Sequence, residues 1–533
     1  MKWRPLLVLG LAQFLMVLDQ AVMNVSISQL VEDFDTTVTV IQGVITFYAL
    51  TMAALMITGG KLGDKWGRRR TFWVGHLIYG AGSALTAASW NVPSLLVGWS
   101  VLEGVGAALV LPALVALIAG SYRGADRAVA YGVIGGVAGA GIAVGPILGG
   151  WVTTEFTWRY VFIGEVVLAV LIVAASVWLT EVEGPKPPPK IDWVGAAVSS
   201  VGLALIVFGL LQASTWGWIA NADSPVTPFG LALTPFVVAA GLVLLAWFFR
   251  WSERRMRRGQ DPLFRLSILE IRSVMGGLKM IIAQGVILMG VFFAIPLYLQ
   301  VVLGLNALDT GLRMLPVSVA MFIMSFVGAR MSARFSPRRI VKVGLWVLLG
   351  SVLVLAGTIR PELRGVVFGL SMALLGVGMG LLASQLGNVI QSSVTEEDRS
   401  EAGGLQYTGQ QLGNAMGTAF IGAIVISVLA TAFVDQISED PRISDQVSTE
   451  IGTELNGTIE FIPLAQVEDA IADAALSTEE ADAILEAYEE GQLQALRIGL
   501  VVSAMIVVGG LFLVRQIPDL SFEELDESTA ERV

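Results

Sequence analysis

Cysteine is absent from the 533 residues, and histidine occurs once, at His76. Disulfides, thiolate metal centres and centres built from several imidazoles are thereby excluded. Charge is scarce too. Asp, Glu, Lys and Arg make up 14% of the chain, against about 25% in a soluble domain. A phosphate-binding loop is also missing, because Gly60-Lys61 is followed by Leu62 where that loop needs Ser or Thr. ATP is therefore not expected as the energy source. No nucleophile–base constellation and no cofactor motif stands out. The sequence thus predicts neither an enzyme nor a bound metal or organic cofactor, and no nucleic-acid partner.

What is abundant is apolar surface, at 55% of the residues. A membrane-crossing helix needs about 20 such residues. Fourteen stretches qualify: 5–25, 40–60, 71–90, 94–119, 129–152, 158–180, 192–212, 228–250, 273–300, 309–330, 340–358, 365–391, 403–432 and 496–515. The chain reads as an all-α, polytopic membrane protein. Its start, MKWRPLLVLGLAQFLMVLD, has the basic head and apolar run of a secretory signal. It lacks a small-residue cleavage site and Asp19 interrupts it, so it reads as an uncleaved first span.

Lys and Arg set the orientation. With the N-terminus inside, the inner loops include KLGDKWGRRR, YRGADR, EVEGPKPPPK, RWSERRMRRGQDPLFR and RMSARFSPRR. The outer loops then hold few basic residues: Arg159, Arg360, Arg364, Arg442 and Arg497. Both termini are expected in the cytoplasm, with the chain in the cell membrane. The largest outer segment, 433–495, is acidic. Within it Ser477 and Glu480 form a capping-box pattern ahead of a helical period. A short helical hairpin between spans 13 and 14 is predicted, serving as a solvated spacer or as an acidic lid over the outer mouth.

The glycines conceal a repeat. A shift of 272 residues carries Gly104, Gly106, Arg127, Gly132, Gly141 and Gly145 onto Gly376, Gly378, Arg399, Gly404, Gly413 and Gly417. The basic loop after span 2 also has a counterpart after span 10. Spans 1–6 thus match spans 9–14 and leave spans 7–8 as an insert. Two six-helix halves with a site between them follow the logic of a rocking transporter.

Several stretches resemble a known family. GGKLGDKWGRRR is similar to the loop signature of the major facilitator superfamily. GGVAGAGIAVGPILGG resembles that superfamily's antiporter motif in span 5, and LDQAVMNVSI the span 1 signature of its fourteen-span drug:proton antiporters. The resemblance implies a major facilitator fold, with two six-helix bundles and a two-helix central insert. It makes Gly60, Asp64, Gly67, Arg68 and Arg69 a cytoplasmic gating loop, with arginines that also pin the loop to an anionic leaflet. It makes Gly141, Gly145, Pro146, Gly149 and Gly150 the antiporter helix, which in that family favours exchange over uniport. Gly141, Gly145 and Gly149 share one face and permit close helix approach.

The sequence departs from the family's pattern at its carboxylates. In span 4, SVLEGVGAALVLP, Ser100 stands where many relatives have Arg and Glu103 where they have Gln. Glu165 replaces a usual Asn in span 6, while Asp19 and Asn24 of the span 1 signature are retained. A carboxylate in hydrocarbon costs roughly 2.5–3.5 kcal/mol, so such a group is functional by default. From the rise of about 1.5 Å per residue, Glu103 lies about 15 Å below the outer edge, Asp19 about 9 Å and Glu165 about 10 Å. No Lys or Arg lies at that depth in the same half, so these three groups are candidates to bind a proton or a cation. In the implied fold spans 1 and 4 line the cavity, which favours Asp19 and Glu103. Span 6 is peripheral, which makes Glu165 a structural acid. Asn24, Trp99, Gln284, Gln300, Gln385, Asn388, Gln410, Gln411 and Asn414 are the candidate cavity groups.

The expected domains are 1–180, a first six-helix bundle; 181–272, a linker with two inserted helices and a basic loop; 273–515, a second bundle that includes 433–495; and a cytoplasmic tail, 516–533, whose end SFEELDESTAERV is expected to be disordered. The function the resemblance implies is export of amphipathic, cationic small molecules in exchange for protons, by a monomer among membrane lipids. Export of lipid or of neutral natural products is the alternative within transport. A receptor or scaffold is the alternative from another class.

Overall fold

The computed structural model describes residues 3–180, 189–219, 224–363, 365–444, 446–448, 461–472 and 476–520. The side chains of Asn24 and Pro146, and the tail beyond residue 520, fall outside the described set. Among the described residues fourteen long helices carry the fold. They are α1 Arg4–Val25, α2 Val38–Trp66, α3 Arg68–Ala87, α4 Val92–Ser121, α5 Gly124–Glu155, α6 Arg159–Ala175 and α7 Trp193–Trp216. Then follow α8 Thr234–Arg257, α9 Arg272–Val302, α10 Ala307–Met331, α11 Pro337–Thr358, α12 Gly365–Ser392, α13 Arg399–Glu439 and α14 Thr478–Leu513.

Thirteen of them are long and apolar enough to cross a membrane. The other is α3, whose three leading arginines and row of buried polar residues lower its hydropathy. Those polar groups face neighbouring helices, α4 and α6, so α3 crosses with its polarity turned inward. Local sequence sets several starts. Thr37, Asp192 and Asn306 accept from backbone N–H groups as N-caps of α2, α7 and α10. Asn91 and Ser94 close a capping box at the head of α4.

The internal repeat is visible in the packing. In the first half α1 lies on α5, α2 on α4, and α3 on α4 and α6. In the second half α9 lies on α13, α10 on α12, and α11 on α12 and α14. The halves meet at two seams, α13 against α2 and α4, and α5 against α10 and α12. The inserted α7 and α8 pair with each other, and α7 covers the first seam by packing on α2 and α13. Ser200 Oγ of α7 donates to Ala54 O of α2 at 2.7 Å.

The acidic segment between spans 13 and 14 differs from expectation. Among the described residues the helices there, Leu464–Ala472 and the head of α14, are not set apart from the spans. Instead α13 runs on to Glu439 and α14 begins at Thr478, so the two crossing helices themselves extend outward. The Ser477–Glu480 capping box forms, but it starts α14. The reason is continuity: no proline falls between Thr478 and Leu513, and a helix of 36 residues is free to carry one periodic pattern into another. A short helix, Leu464–Ala472, accompanies it, and Gln492 Nε2 and Tyr488 Oη fasten the adjoining Ile462 backbone.

Candidate functional site

Three carboxyl groups converge inside the first half. Asp19 comes from α1, Glu103 from α4 and Glu165 from α6, and one oxygen of each lies within 4.8 Å of the others. All three are buried. Two local features bring Glu103 there. Leu96–Glu103 is a π-helical stretch within α4, which turns the side chain away from the direction a plain α-helix would give. Gly82 and Gly98 then let α3 and α4 touch along their backbones: a Cβ on Gly82 would lie 2.7 Å from Gly98 O.

Each carboxyl has neutral donors. Trp99 Nε1 donates to Asp19 Oδ1 at 2.7 Å, and Tyr48 stacks on the indole with centroids 4.4 Å apart. Thr86 Oγ1 donates to Glu103 Oε1 at 3.1 Å. Tyr79 Oη and Ser83 Oγ donate to Glu165 Oε2 at 3.0 and 3.3 Å. Among the described residues, the second oxygen of each acid, together with Tyr48 Oη, is buried without a hydrogen-bond partner. No Lys or Arg bonds to the trio among the described residues. Two negative charges at this spacing repel by about 3 kcal/mol even at an effective dielectric of about 20. Three ionised carboxylates are therefore not a stable state of this site without a counter-ion, and the arrangement is suited to hold protons or a cation. The donors Tyr79, Ser83 and Thr86 were not singled out from the sequence. Their spacing of four and three residues was the available signal, since it places them on one face of α3.

A larger cavity of about 640 Å³ lies between the halves. Its wall runs from Tyr131 and Tyr407 to Pro296, Gln300, Thr310 and Gly311, at the ends of α9 and α10 away from the basic loops. Of the sequence candidates, Gln284, Gln300, Gln410, Gln411 and Asn414 line it. Three others do not. Trp99 is sandwiched between Tyr48 and Asp19. Gln385 is buried on Ser332 and Gly328 O, and Asn388 on Ser392. Asp19 and Glu103 also stay off the wall, because α1 turns Asp19 inward while its neighbour Gln20 faces the cavity. Glu165 is not peripheral to the acids: it closes the same cluster. Gln13, Gln20 and Gln406 are wall amides the sequence reading missed. Among the described residues, no Asp, Glu, Lys or Arg lines the cavity; amides, tyrosines, methionines and phenylalanines do.

The basic end of the bundle is closed. Lys61 pairs with Glu401 across the first seam, both 3% exposed. Arg68 Nε donates to Ser400 Oγ at 2.9 Å and its Nη2 to Glu396 O at 2.6 Å, while Asp64 stands 3.8 Å from the same guanidinium. Arg68 is therefore buried in the contact between halves and does not face the leaflet as expected; Arg69 is half-buried. Gly60 permits the crossing, since a Cβ there would lie 2.6 Å from Ser400 O, and Gly67 makes the turn into α3 at φ 95°. Arg127 Nη1 reaches Ser392 Oγ at 2.9 Å, and Tyr407 Oη donates to Gln13 Oε1 at 2.9 Å on the cavity floor. In α5, Gly141, Gly145 and Gly149 face Val17, Ala21 and Val22 of α1, while Gly150 lies half-buried off that stripe.

Comparison with known proteins agrees with this architecture. The family model described as Major Facilitator Superfamily matches residues 9–222 and 193–418. The probable actinorhodin transporter of Streptomyces coelicolor is 32% identical over 448 residues, covering 81% of this chain and 75% of that protein. The multidrug efflux pump LfrA of Mycolicibacterium smegmatis is 29% identical over 516 residues, 96% of either chain. Among solved structures, the human organic anion transporter MFSD10 superposes with a TM-score of 0.58 at 14% identity, over 96% of this chain and 99% of its own.

Proposed function

Since the chain belongs to the major facilitator superfamily, we propose that it is a proton-coupled exporter of amphipathic small molecules. The observation that carries this reading is the trio Asp19, Glu103 and Glu165, buried one helix away from the cavity and bonded to no Lys or Arg among the described residues. Its protons are the energy currency, and no cofactor is needed. Loading or unloading the trio changes the charge behind α1 and α4. Both helices belong to the first half, and α4 also meets α13 of the second. Charge in the trio thereby biases which end of the cavity is closed.

The positive-inside rule places the basic end, and both termini, in the cytoplasm. The conformation described is then closed to the cytoplasm. Residues 1–180 and 273–515 act as the two rocking bodies, with 181–272 as the insert over one seam. One chain contains both halves and the cavity, so a monomer suffices.

Two relatives, named for actinorhodin transport and for multidrug efflux, support drug or natural-product export. The cavity wall bears on the charge of the cargo. A cation would meet no carboxylate there, whereas an uncharged amphiphile finds amide donors and acceptors beside adaptable Met and Phe surface. We therefore place uncharged aromatic amphiphiles ahead of cations, whose attraction to the trio acts through α1.

The test is efflux from proteoliposomes under an imposed pH gradient, with ethidium and an uncharged polycyclic fluorophore run side by side. Wild type should export, the neutral dye faster. Glu103→Gln should lose at least about tenfold of the gradient-driven rate while still binding dye. Gradient-driven export unaffected by Glu103→Gln, and by Asp19→Asn, would remove the trio from coupling.

A further inference from the structure

The two seams are built alike, and one carries a buried ion pair that has no counterpart at the equivalent place in the other among the described residues. At the first seam, a Cβ on Gly404 of α13 would lie 2.8 Å from Met56 O of α2. At the second, a Cβ on Gly132 of α5 would lie 2.6 Å from Ser325 O of α10. Met56 and Ser325 thus hold equivalent places, and so do Gly404 and Gly132. Five residues on from Met56 stands Lys61; five on from Ser325 stands Arg330. Three residues back from Gly404 stands Glu401; three back from Gly132 stands Val129. Lys61 is buried against Glu401. Arg330 is exposed, shares its groove with Val129 where the first seam has a carboxylate, and its side chain has no hydrogen bond or ion pair among the described residues.

The seams differ in a second way. Over the first, the segment ahead of α9 forms a cover: Arg265 N–H donates to the other oxygen of Glu401 at 2.9 Å, and Leu263 and Phe264 beside it are buried. At the second seam the corresponding place is an open groove of about 410 Å³. Trp3, Leu6, Leu7, Val133 and Phe326 wall it together with Val129, and Arg330 stands in its lining. It faces outward from the bundle, since Leu7 is 69% exposed and Ile323 and Val327 next to it are exposed apolar residues.

We propose that this groove binds an anionic phospholipid from the leaflet at the basic end, with an acyl chain along the apolar walls and the headgroup phosphate on Arg330. The lipid brings to the second seam the two things the chain itself brings to the first, an anion for the basic side chain and an apolar cover. Arg is suited to phosphate through its planar fork of donors. Since the walls come from α1 and α5 of one half and α10 of the other, the lipid binds the closed basic end better than an opened one, and so favours that state. The acidic tail SFEELDESTAERV is the competing anion, but it has no apolar run to fill the groove.

Because the chain has no cysteine, Leu7→Cys provides a unique thiol at the rim. The full-length protein, labelled there with a fluorophore, is reconstituted with phosphatidylglycerol or phosphatidylcholine brominated on the acyl chain. The expected result is about fivefold enrichment of phosphatidylglycerol over phosphatidylcholine at the label, the factor one basic residue supplies near an anionic leaflet. Arg330→Gln should abolish that preference and Arg330→Lys keep it. Val129→Glu should also abolish it, by giving Arg330 an internal partner. Equal quenching by the two lipids in the Arg330 protein, or a preference that survives Arg330→Gln, overturns the proposal. So does a preference that emerges only after residues 521–533 are removed, which would seat the tail in the groove.

Discussion

Trp99→Phe would take away the N–H that holds Asp19 while leaving an aromatic ring for Tyr48 to stack on. Tyr79→Phe would take one of two donors from Glu165. A buried acceptor deprived of its donor costs about 1–3 kcal/mol. Both variants should therefore lower the unfolding temperature in detergent, and Trp99→Phe should in addition alter the pH dependence of export. An unchanged pH profile in Trp99→Phe would mean that the orientation of Asp19 does not matter to coupling. At this scale the three acids were legible as unpaired charges in apolar spans, and their meeting was not. Depth along each helix is readable from a fixed rise per residue. The direction of Glu103 around its helix depends on the π-helical stretch Leu96–Glu103, and that of Glu165 on where α6 docks against α3. This is why Glu165, which looked peripheral, closes the cluster.

In the helices, close packing separates glycines that must stay small from those that need not. A methyl on Gly145 would lie 2.3 Å from the Cβ of Ala21, whereas nothing lies within 4 Å of one on Gly164 in α6. Gly145→Ala should push α5 from α1 and destabilise the fold by about 1–3 kcal/mol. Gly164→Ala should be neutral or stabilising by up to about 1 kcal/mol through helix propensity alone. Thermal unfolding of the two variants side by side checks this, and equal effects would show that the α1–α5 contact is slack. The stripe of Gly141, Gly145 and Gly149 was readable from spacing. That it faces α1 was not, because spacing tells which residues share a face and not which neighbour that face meets. The extension of α14 back to Thr478 escaped for a related reason: the acidic turns and the apolar turns are one helix, and hydropathy sees only the second part.

Across the whole molecule the closed end is held by few polar contacts. Glu401→Gln would leave Lys61 buried without its counter-charge, a loss of about 3–5 kcal/mol for a buried pair. Since that contact exists only when the basic end is closed, the variant should shift the population toward opening there. Spin labels on Lys65→Cys and Glu397→Cys, both exposed, should move apart in Glu401→Gln by pulsed electron resonance. The exchanged pair Lys61→Glu with Glu401→Lys should bring them back. Distances that do not respond to Glu401→Gln would show that the Arg68, Ser400 and Arg127 contacts suffice to hold the end shut. The loop motif carrying Asp64 and Arg68 was visible in the sequence, but Glu401 and Ser400 were not, since no sequence pattern says which distant helix crosses Gly60.

The sequence by itself determined the membrane-spanning character, the fourteen helices, the internal repeat and the family, because hydropathy, period and motif are properties of residues near one another along the chain. Only the tertiary structure decided that three acids share one site behind α1, that no described residue of the cavity wall is charged, and that one seam has a buried ion pair where the other has a groove. Each of those depends on the azimuth of a helix and on the partner it meets, and both are set by packing between segments hundreds of residues apart.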